Sequence, residues 1–169
     1  ITVPETGNDN TPTITGTTDE PAGSVVEITI TDKDGNTQTV STLVKEDGTY
    51  SVDVPTALPE GGFTVTGKVT DPVGNTTTAT DQGTVDTIPP TLTITVPETG
   101  NDNTPTITGT TDAPVGSDVE ITITDKDGNT QTVSTVVKQD GTYSVDVPTA
   151  LPEGGFTVTG KVTDPVGNT

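Results

Sequence analysis

The sequence predicts an all-β protein of two tandem antiparallel β-sandwich domains, and three observations carry this prediction. Residues 1–76 recur as residues 94–169 with only five of the 76 aligned positions changed, and this offset of 93 residues is the length of a whole domain. Apolar and polar residues alternate with a period of two, and Thr makes up about a quarter of the chain, as is typical of strands. Clusters of Asp, Gly, Asn and Pro separate the alternating runs at short intervals.

About seven strands are predicted in each domain, because the alternation resumes after every turn signal. Val26, Ile28 and Ile30, for example, alternate with Glu27 and Thr29. In the first domain we expect strands near residues 1–3, 11–18, 25–31, 37–44, 49–54, 63–70 and 76–85.

The repeat places the domains at residues 1–87 and 88–169. The first lacks a lead-in equivalent to residues 91–93, and the second ends before the equivalent of strand 76–85, so we expect an unpaired sheet edge in the second domain. Residues 86–91 (DTIPPT) join the two. Two prolines fix φ and remove backbone donors, which predicts a short, stiff connector.

The two copies also predict which side chains face the core. Val25 is replaced by Asp118 in the second copy, so this position should face solvent and the neighbouring Val26 should face inward. Leu43 is replaced by Val136, and because the position stays apolar we expect it to be buried. The four aromatic residues are expected in the two cores: Tyr50, Phe63, Tyr143 and Phe156.

Composition excludes several functions. The chain has 25 Asp and Glu against 6 Lys and Arg, a formal net charge of −19, which repels nucleic acid and anionic membranes. It contains no Cys and no His, so disulfides, thiolate or imidazole metal sites and the usual nucleophile–base pairs are excluded. No apolar run reaches 18 residues, which predicts no membrane insertion of this segment. We expect no enzyme and no small-molecule substrate.

The acidic loops are candidate cation sites. Strands that alternate in direction sort these loops to two poles of each domain, and gathered carboxylate and amide oxygens are the ligands that Ca²⁺ prefers. Asp, Asn and Gly are also ordinary turn formers, which explains any single loop more simply. Asp32 and Asp34 begin like an EF-hand loop, but the position that needs Glu is Leu43, so a hairpin turn is the better interpretation.

Three segments resemble a known family: residues 10–17 (NTPTITGT), 50–61 (YSVDVPTALPEG) and 69–75 (VTDPVGN). They are similar to the bacterial immunoglobulin-like repeats that form the extender region of large RTX-type, biofilm-associated surface adhesins. The resemblance covers nearly the whole chain. It implies Ig-like domains in a calcium-stiffened stalk, exported by type I secretion, that projects a terminal binding domain from the cell.

Position at the facing poles and this resemblance together suggest a calcium site at the domain junction. The expected ligands are Asp86, Asp112, Asp164 and Asn168. Weaker candidates, at the same poles or at the equivalent positions of the other copy, are Asp9, Asp19, Asp32, Asp34, Glu60, Asp71, Asp102 and Asp140.

Two functions follow as hypotheses. The first is a non-catalytic extracellular spacer, monomeric, whose partners are neighbouring repeats of the same chain. The alternative is an adhesin module that itself binds carbohydrate, host protein or ice. Thr-x-Thr runs, such as Thr29-Ile30-Thr31, fit ice binding, but the outward Thr face of an ordinary twisted sheet explains them more simply. A binding module should carry unique loops, and the two copies have almost the same loops.

Overall fold

The computed structural model describes residues 1–71, 73–97 and 100–169 and divides the chain into two compact units, Ile1–Ile88 and Pro89–Thr169. The described residues contain strands and turns and no helix, which confirms the all-β prediction. The first unit has seven strands in its described residues: β1 (Thr6–Gly7), β2 (Thr13–Thr17), β3 (Val25–Asp32), β4 (Thr37–Leu43), β5 (Thr49–Asp53), β6 (Gly61–Thr70) and β7 (Thr76–Val85).

Two layers enclose the core of the first unit. One sheet has the order β1-β7-β6-β3-β4, and β2 pairs with β5 in the other. The inward residues of β3 and β6 supply much of the core, because alternate side chains point to the same face. Among them Ile28, Ile30 and Val65 are fully buried.

The first strand differs from the sequence prediction of residues 1–3. Only Thr2 is bridged there, to Thr15 of β2, whereas the strand itself is β1 and runs parallel to β7. Pro4 separates the two stretches, and because proline cannot donate to a ladder, the chain leaves one sheet there and joins the other. The counterpart of β1 in the second unit includes residue 99, which lies outside the described residues.

The second unit has five strands in its described residues: β8 (Thr106–Thr110), β9 (Asp118–Thr124), β10 (Thr130–Val136), β11 (Thr142–Asp146) and β12 (Thr157–Val162). One sheet has the order β10-β9-β12 and the other pairs β11 with β8. Within the described part of the chain β12 pairs with β9 alone.

Burial confirms one facing prediction and overturns another. Val26 is buried and Val25 is exposed, as expected. Leu43 and Val136, expected in the core, are 57% and 50% exposed. Strand β4 presents its even-numbered residues inward, and Val44 just beyond it is buried, so residue 43 points to solvent. An apolar exchange between copies therefore did not indicate burial.

Three of the four aromatic residues are core residues, as predicted, and Phe156 is only partly buried. In the first unit, Gly83 of β7 lies directly against the ring of the equivalent Phe63. Among the described residues of the second unit, no strand pairs with the free edge of β12 to cover Phe156 in the same way.

Candidate metal centre

One pole of the first unit gathers Glu60, Asp9 and Asp86. The Asp86 N–H donates to Gly7 O at 2.9 Å, and Glu60 Oε1 accepts the N–H of Thr87 at 2.9 Å. Asp32 and Asp34 lie at this end too, since Asp32 is paired in register with Phe63 near the start of β6. Asp71 follows the far end of β6 and Asp19 follows β2, so these two lie at the opposite pole.

One pole of the second unit gathers Asp112, Asp140 and Asp164. Thr111 N–H donates to Gly141 O at 2.9 Å, which joins the loops of Asp112 and Asp140. Strand β12 ends at Val162 opposite Val119, so the turn of Asp164 lies at the same end. Asp102 lies at the other pole, beside the loop of Leu151, whose N–H donates to Asn103 O at 2.8 Å.

Asp164 and Asn168 form one copy of a turn that recurs through the chain with the pattern Asp-x-x-Gly-Asn. Asp164 Oδ1 accepts the N–H groups of Val166 and Asn168 at 3.0 and 2.9 Å, and its Oδ2 accepts the Asn168 side-chain amide at 2.8 Å. The turn glycine, Gly167, has a φ of 97°, which favours glycine. Equivalent bonds are made by Asp32, Asp71 and Asp125.

These bonds favour the charged carboxylates. The side-chain amide of Asn36 lowers the pKa of Asp32 below its usual value, and Asn75 and Asn129 do the same for Asp71 and Asp125. For Asp164, partial burial raises the pKa, but the bonds from Asn168 and the turn amides outweigh it and the net direction is down. The turn interpretation of Asp32-Asp34 therefore has a structural basis, because a carboxylate that accepts several N–H bonds is held ionised.

A second recurring arrangement has the pattern Asp-x-Thr. Asp140 Oδ1 accepts both the N–H and the hydroxyl of Thr142, at 3.0 and 2.6 Å, and the hydroxyl bond lowers the pKa of Asp140. Asp9 and Asp102 bond to the threonine two residues on in the same way. Asp34 instead forms an exposed ion pair with Lys33 at 3.1 Å.

The donor set is one that calcium accepts, because carboxylate and amide oxygens are its preferred ligands. Individual carboxylates differ in how many of their acceptor sites are already used by hydrogen bonds. A carboxylate offers about four acceptor sites, and Asp164 already accepts three bonds within its turn. Asp112 Oδ1 accepts the Thr91 N–H at 2.7 Å. Across residues 1–71, 73–97 and 100–169, no three acidic side chains come close enough together to hold an ion.

The sequence profile of the bacterial Ig-like domain family matches residues 4–87 and again residues 95–169. The chain belongs to this family. This match shows the two tandem domains predicted from the repeat and the Ig-like fold implied by the resemblance of the three sequence segments. A search of curated proteins finds no match.

Solved structures similar to this bacterial Ig-like chain include parts of large adhesins. A tetra-tandem repeat from the extending region of a large adhesion protein is 34% identical, with 99% of this chain and 45% of that chain covered and a TM-score of 0.47. A structure concerned with host cell surface retention of a 1.5-MDa bacterial ice-binding adhesin is 26% identical, with 95% and 55% covered and a TM-score of 0.54. A Ca²⁺-stabilised ice-binding adhesin of an Antarctic bacterium is 24% identical, with 93% and 44% covered and a TM-score of 0.48.

The chain therefore spans about half the length of the structures that it matches. In the described residues, the Ig-like units include no helix with the length and apolarity that crossing a membrane requires.

Sequence reasoning missed two features of the acidic residues. The first is the Asp-x-x-Gly-Asn turn, whose fixed spacing at four places in the sequence is a signal that could have revealed it. The second is the pair of bonds from Glu60 to Thr87 and from Asp112 to Thr91. These contacts join residues that are 27 and 21 positions apart, and no sequence pattern predicts them.

Proposed function

We propose that this chain is a spacer segment of an extracellular bacterial adhesin, with no catalytic role. The near-identity of its two Ig-like modules carries the proposal. The five differences lie at positions 20, 22, 25, 43 and 46 of the first module, and every other loop residue is repeated. A ligand-binding module gains affinity from a distinctive surface, whereas repetition of one surface adds only length. The 26% identical ice-binding adhesin supports the assignment to adhesins.

As part of a stalk, the chain would project a terminal binding domain from the cell, with neighbouring repeats as its partners and a monomeric state. Export by type I secretion follows from the resemblance to RTX-type, biofilm-associated adhesins.

A reach measurement tests the spacer role. Extra copies of residues 1–93 are inserted between a surface anchor and a fluorescent reporter. Each copy should move the reporter outward by an equal step, because each module is a folded body of the same length. A reporter height that does not grow with copy number would contradict the proposal. Specific retention of the two-module chain on a glycan array or on ice would favour the binding alternative.

We further propose that calcium stiffens the junction. The net charge of −19 opposes compaction unless cations offset it, and the poles that carry Asp86 and Asp112 both present hard oxygen donors. The proposed ligands remain Asp86, Asp112, Asp164 and Asn168. Asp112 is favoured over Asp164, because the turn around Asp164 already uses three of the acceptor sites of that carboxylate.

Calorimetric calcium titration of the full chain tests these ligands. Asp86→Ala and Asp112→Ala should each weaken binding, since removing a charged ligand removes much of the attraction for the ion. Asp19→Ala is the matched comparison, because Asp19 is the first-module equivalent of Asp112 and follows β2 rather than β8. As one of the weaker candidates, it should reduce calcium binding less than Asp112→Ala does. Calcium binding that is unchanged in both junction variants would remove the assignment.

A further inference from the structure

The N-terminal end of the connector is hydrogen-bonded to a side chain of the first unit. Glu60 Oε1 accepts the N–H of Thr87 at 2.9 Å and also accepts the Thr87 hydroxyl. One residue earlier, the Asp86 N–H donates to Gly7 O at 2.9 Å, which continues the pairing of β1 with β7. Residues 86 and 87 are therefore part of the first unit.

The C-terminal end of the connector is hydrogen-bonded to the second unit in a similar way. Asp112 Oδ1 accepts the Thr91 N–H at 2.7 Å. Two residues later, the Thr93 N–H donates to Thr110 O at 2.9 Å, and the buried Tyr143 donates its hydroxyl to Thr93 O at 2.7 Å. Residues 91–93 therefore belong to the second unit.

Only residues 88–90 remain between these two anchored ends, and two of the three are proline. We propose that Glu60 and Asp112 are connector clamps, meaning side chains that bind the backbone of the connector and reduce its free length to Ile88-Pro89-Pro90. The clamps limit bending without calcium. Each proline fixes its own φ, and a proline also restricts the residue before it, so three unclamped residues retain few conformations.

The clamps act independently of the proposed calcium site, and substitutions that change the charge but keep the acceptor oxygen distinguish the two roles. A clamp needs an oxygen that accepts a hydrogen bond, and the amide of Gln or Asn supplies one. A calcium ligand at these positions benefits from the negative charge, which the amide lacks. Glu60→Gln and Asp112→Asn should therefore keep the clamps while weakening calcium binding. Glu60→Ala and Asp112→Ala remove both.

The repeat supplies matched controls. Glu153 is the second-unit equivalent of Glu60, and Asp19 is the first-unit equivalent of Asp112. The connector partners of these two residues would lie outside residues 1–169. Glu153→Ala and Asp19→Ala thus make the same chemical change without removing a bond to the connector of residues 86–91.

The first test measures amide hydrogen exchange of the full chain by NMR, in EDTA. The Thr87 amide should exchange roughly fivefold faster in Glu60→Ala than in the wild type, as expected when one exposed hydrogen bond is lost. The Thr91 amide should show the same acceleration in Asp112→Ala. Core amides such as that of Ile28 should be unchanged, which shows that the variants are folded. Unchanged exchange at Thr87 and Thr91 would overturn the proposal.

The second test measures the distance distribution between spin labels at Ser41→Cys and Ser134→Cys, which are exposed equivalents on the two units of a chain without other Cys. In EDTA, the distribution should broaden in Glu60→Ala and Asp112→Ala. It should keep the wild-type width in the Gln, Asn and control variants. Equal widths in all variants would overturn the clamps. The calcium role is tested separately, by comparing the width of the wild-type distance distribution in EDTA with its width in calcium.

Discussion

The aspartates of the Asp-x-x-Gly-Asn turns hold the backbone as well as carry charge. Each takes two backbone N–H groups and one asparagine amide, as Asp125 does with Asp127 and Asn129 at 2.8–2.9 Å. The turn places fixed N–H donors against the carboxylate, which favours the ionised form. Ionised turn aspartates therefore contribute to the stability of the fold, although their side chains lie at the surface.

Acid should weaken these turns. The pKa of Asp32 and of Asp125 is lowered in the folded state, first by the side-chain amide of Asn36 or Asn129. A carboxyl group whose pKa is lowered by folding stabilises the folded state at pH values above its unfolded pKa, near 3.8. This stability is lost as the pH falls through the pKa of the folded state. We expect the melting temperature of the wild-type chain to fall more between about pH 5 and pH 2.5 than that of Asp32→Asn/Asp125→Asn.

The control is Asp34→Asn/Asp127→Asn, which removes the same charge and leaves the Asp32 and Asp125 carboxylates in place. Protonation also relieves the repulsion of the other acidic groups, but this effect is shared by all the variants. The same acid dependence in the turn variant and the wild type would contradict the prediction.

At the scale of elements, β7 shows how a neighbouring strand affects β6. It pairs with β6 along ten residues, from Gly61–Val85 to Thr70–Thr76, and it covers Phe63 through Gly83. The sequence of β6 is repeated in full as residues 154–163, yet β12 spans only Thr157–Val162. The same residues thus form a longer strand when a neighbour supplies hydrogen bonds on the second edge.

Phe63→Ala and Phe156→Ala should therefore lower the free energy of unfolding of their units by different amounts. Truncating a buried Phe destabilises a domain by about 3–5 kcal/mol, and Phe63 is 4% exposed. Phe156, which is only partly buried, should lose roughly half as much because less of its surface leaves water on folding. Hydrogen exchange of the full chain by mass spectrometry in increasing urea measures each unit separately.

Peptides from residues 20–46 and 113–139 contain all five sequence differences, so they report the first and second unit without ambiguity. Equal destabilisation of the two units would show that β7 does not account for the burial of Phe63.

At the scale of the whole molecule, charge dominates the response to solution conditions. A net charge of −19 with 6 basic residues produces repulsion within each unit that any salt screens. A coordinated ion acts differently, because it binds the folded form and adds RT ln(1 + [L]/Kd) to its stability.

Calcium should therefore raise the melting temperature more than sodium does. At 100–1,000 times Kd the gain is about 2–4 kcal/mol, which shifts the melting of a small domain by on the order of 10 °C. NaCl of matched ionic strength should restore only part of this shift, since screening supplies no coordination. Calorimetric scans in EDTA, NaCl and CaCl₂ make the comparison, and equal melting in EDTA and calcium would exclude the stabilising role.

The sequence by itself determined the repeat, the all-β class, most strand positions and the inward face of β3, because these depend on local alternation and turn chemistry. It also predicted turns at the acidic loops. Only the tertiary structure decided the outward position of Leu43, the parallel pairing of β1 with β7, the partial burial of Phe156, and the bonds from Glu60 to Thr87 and from Asp112 to Thr91. Each of these depends on which distant segment lies alongside. Periodicity tells which residues share a face, but it does not tell which segment covers that face.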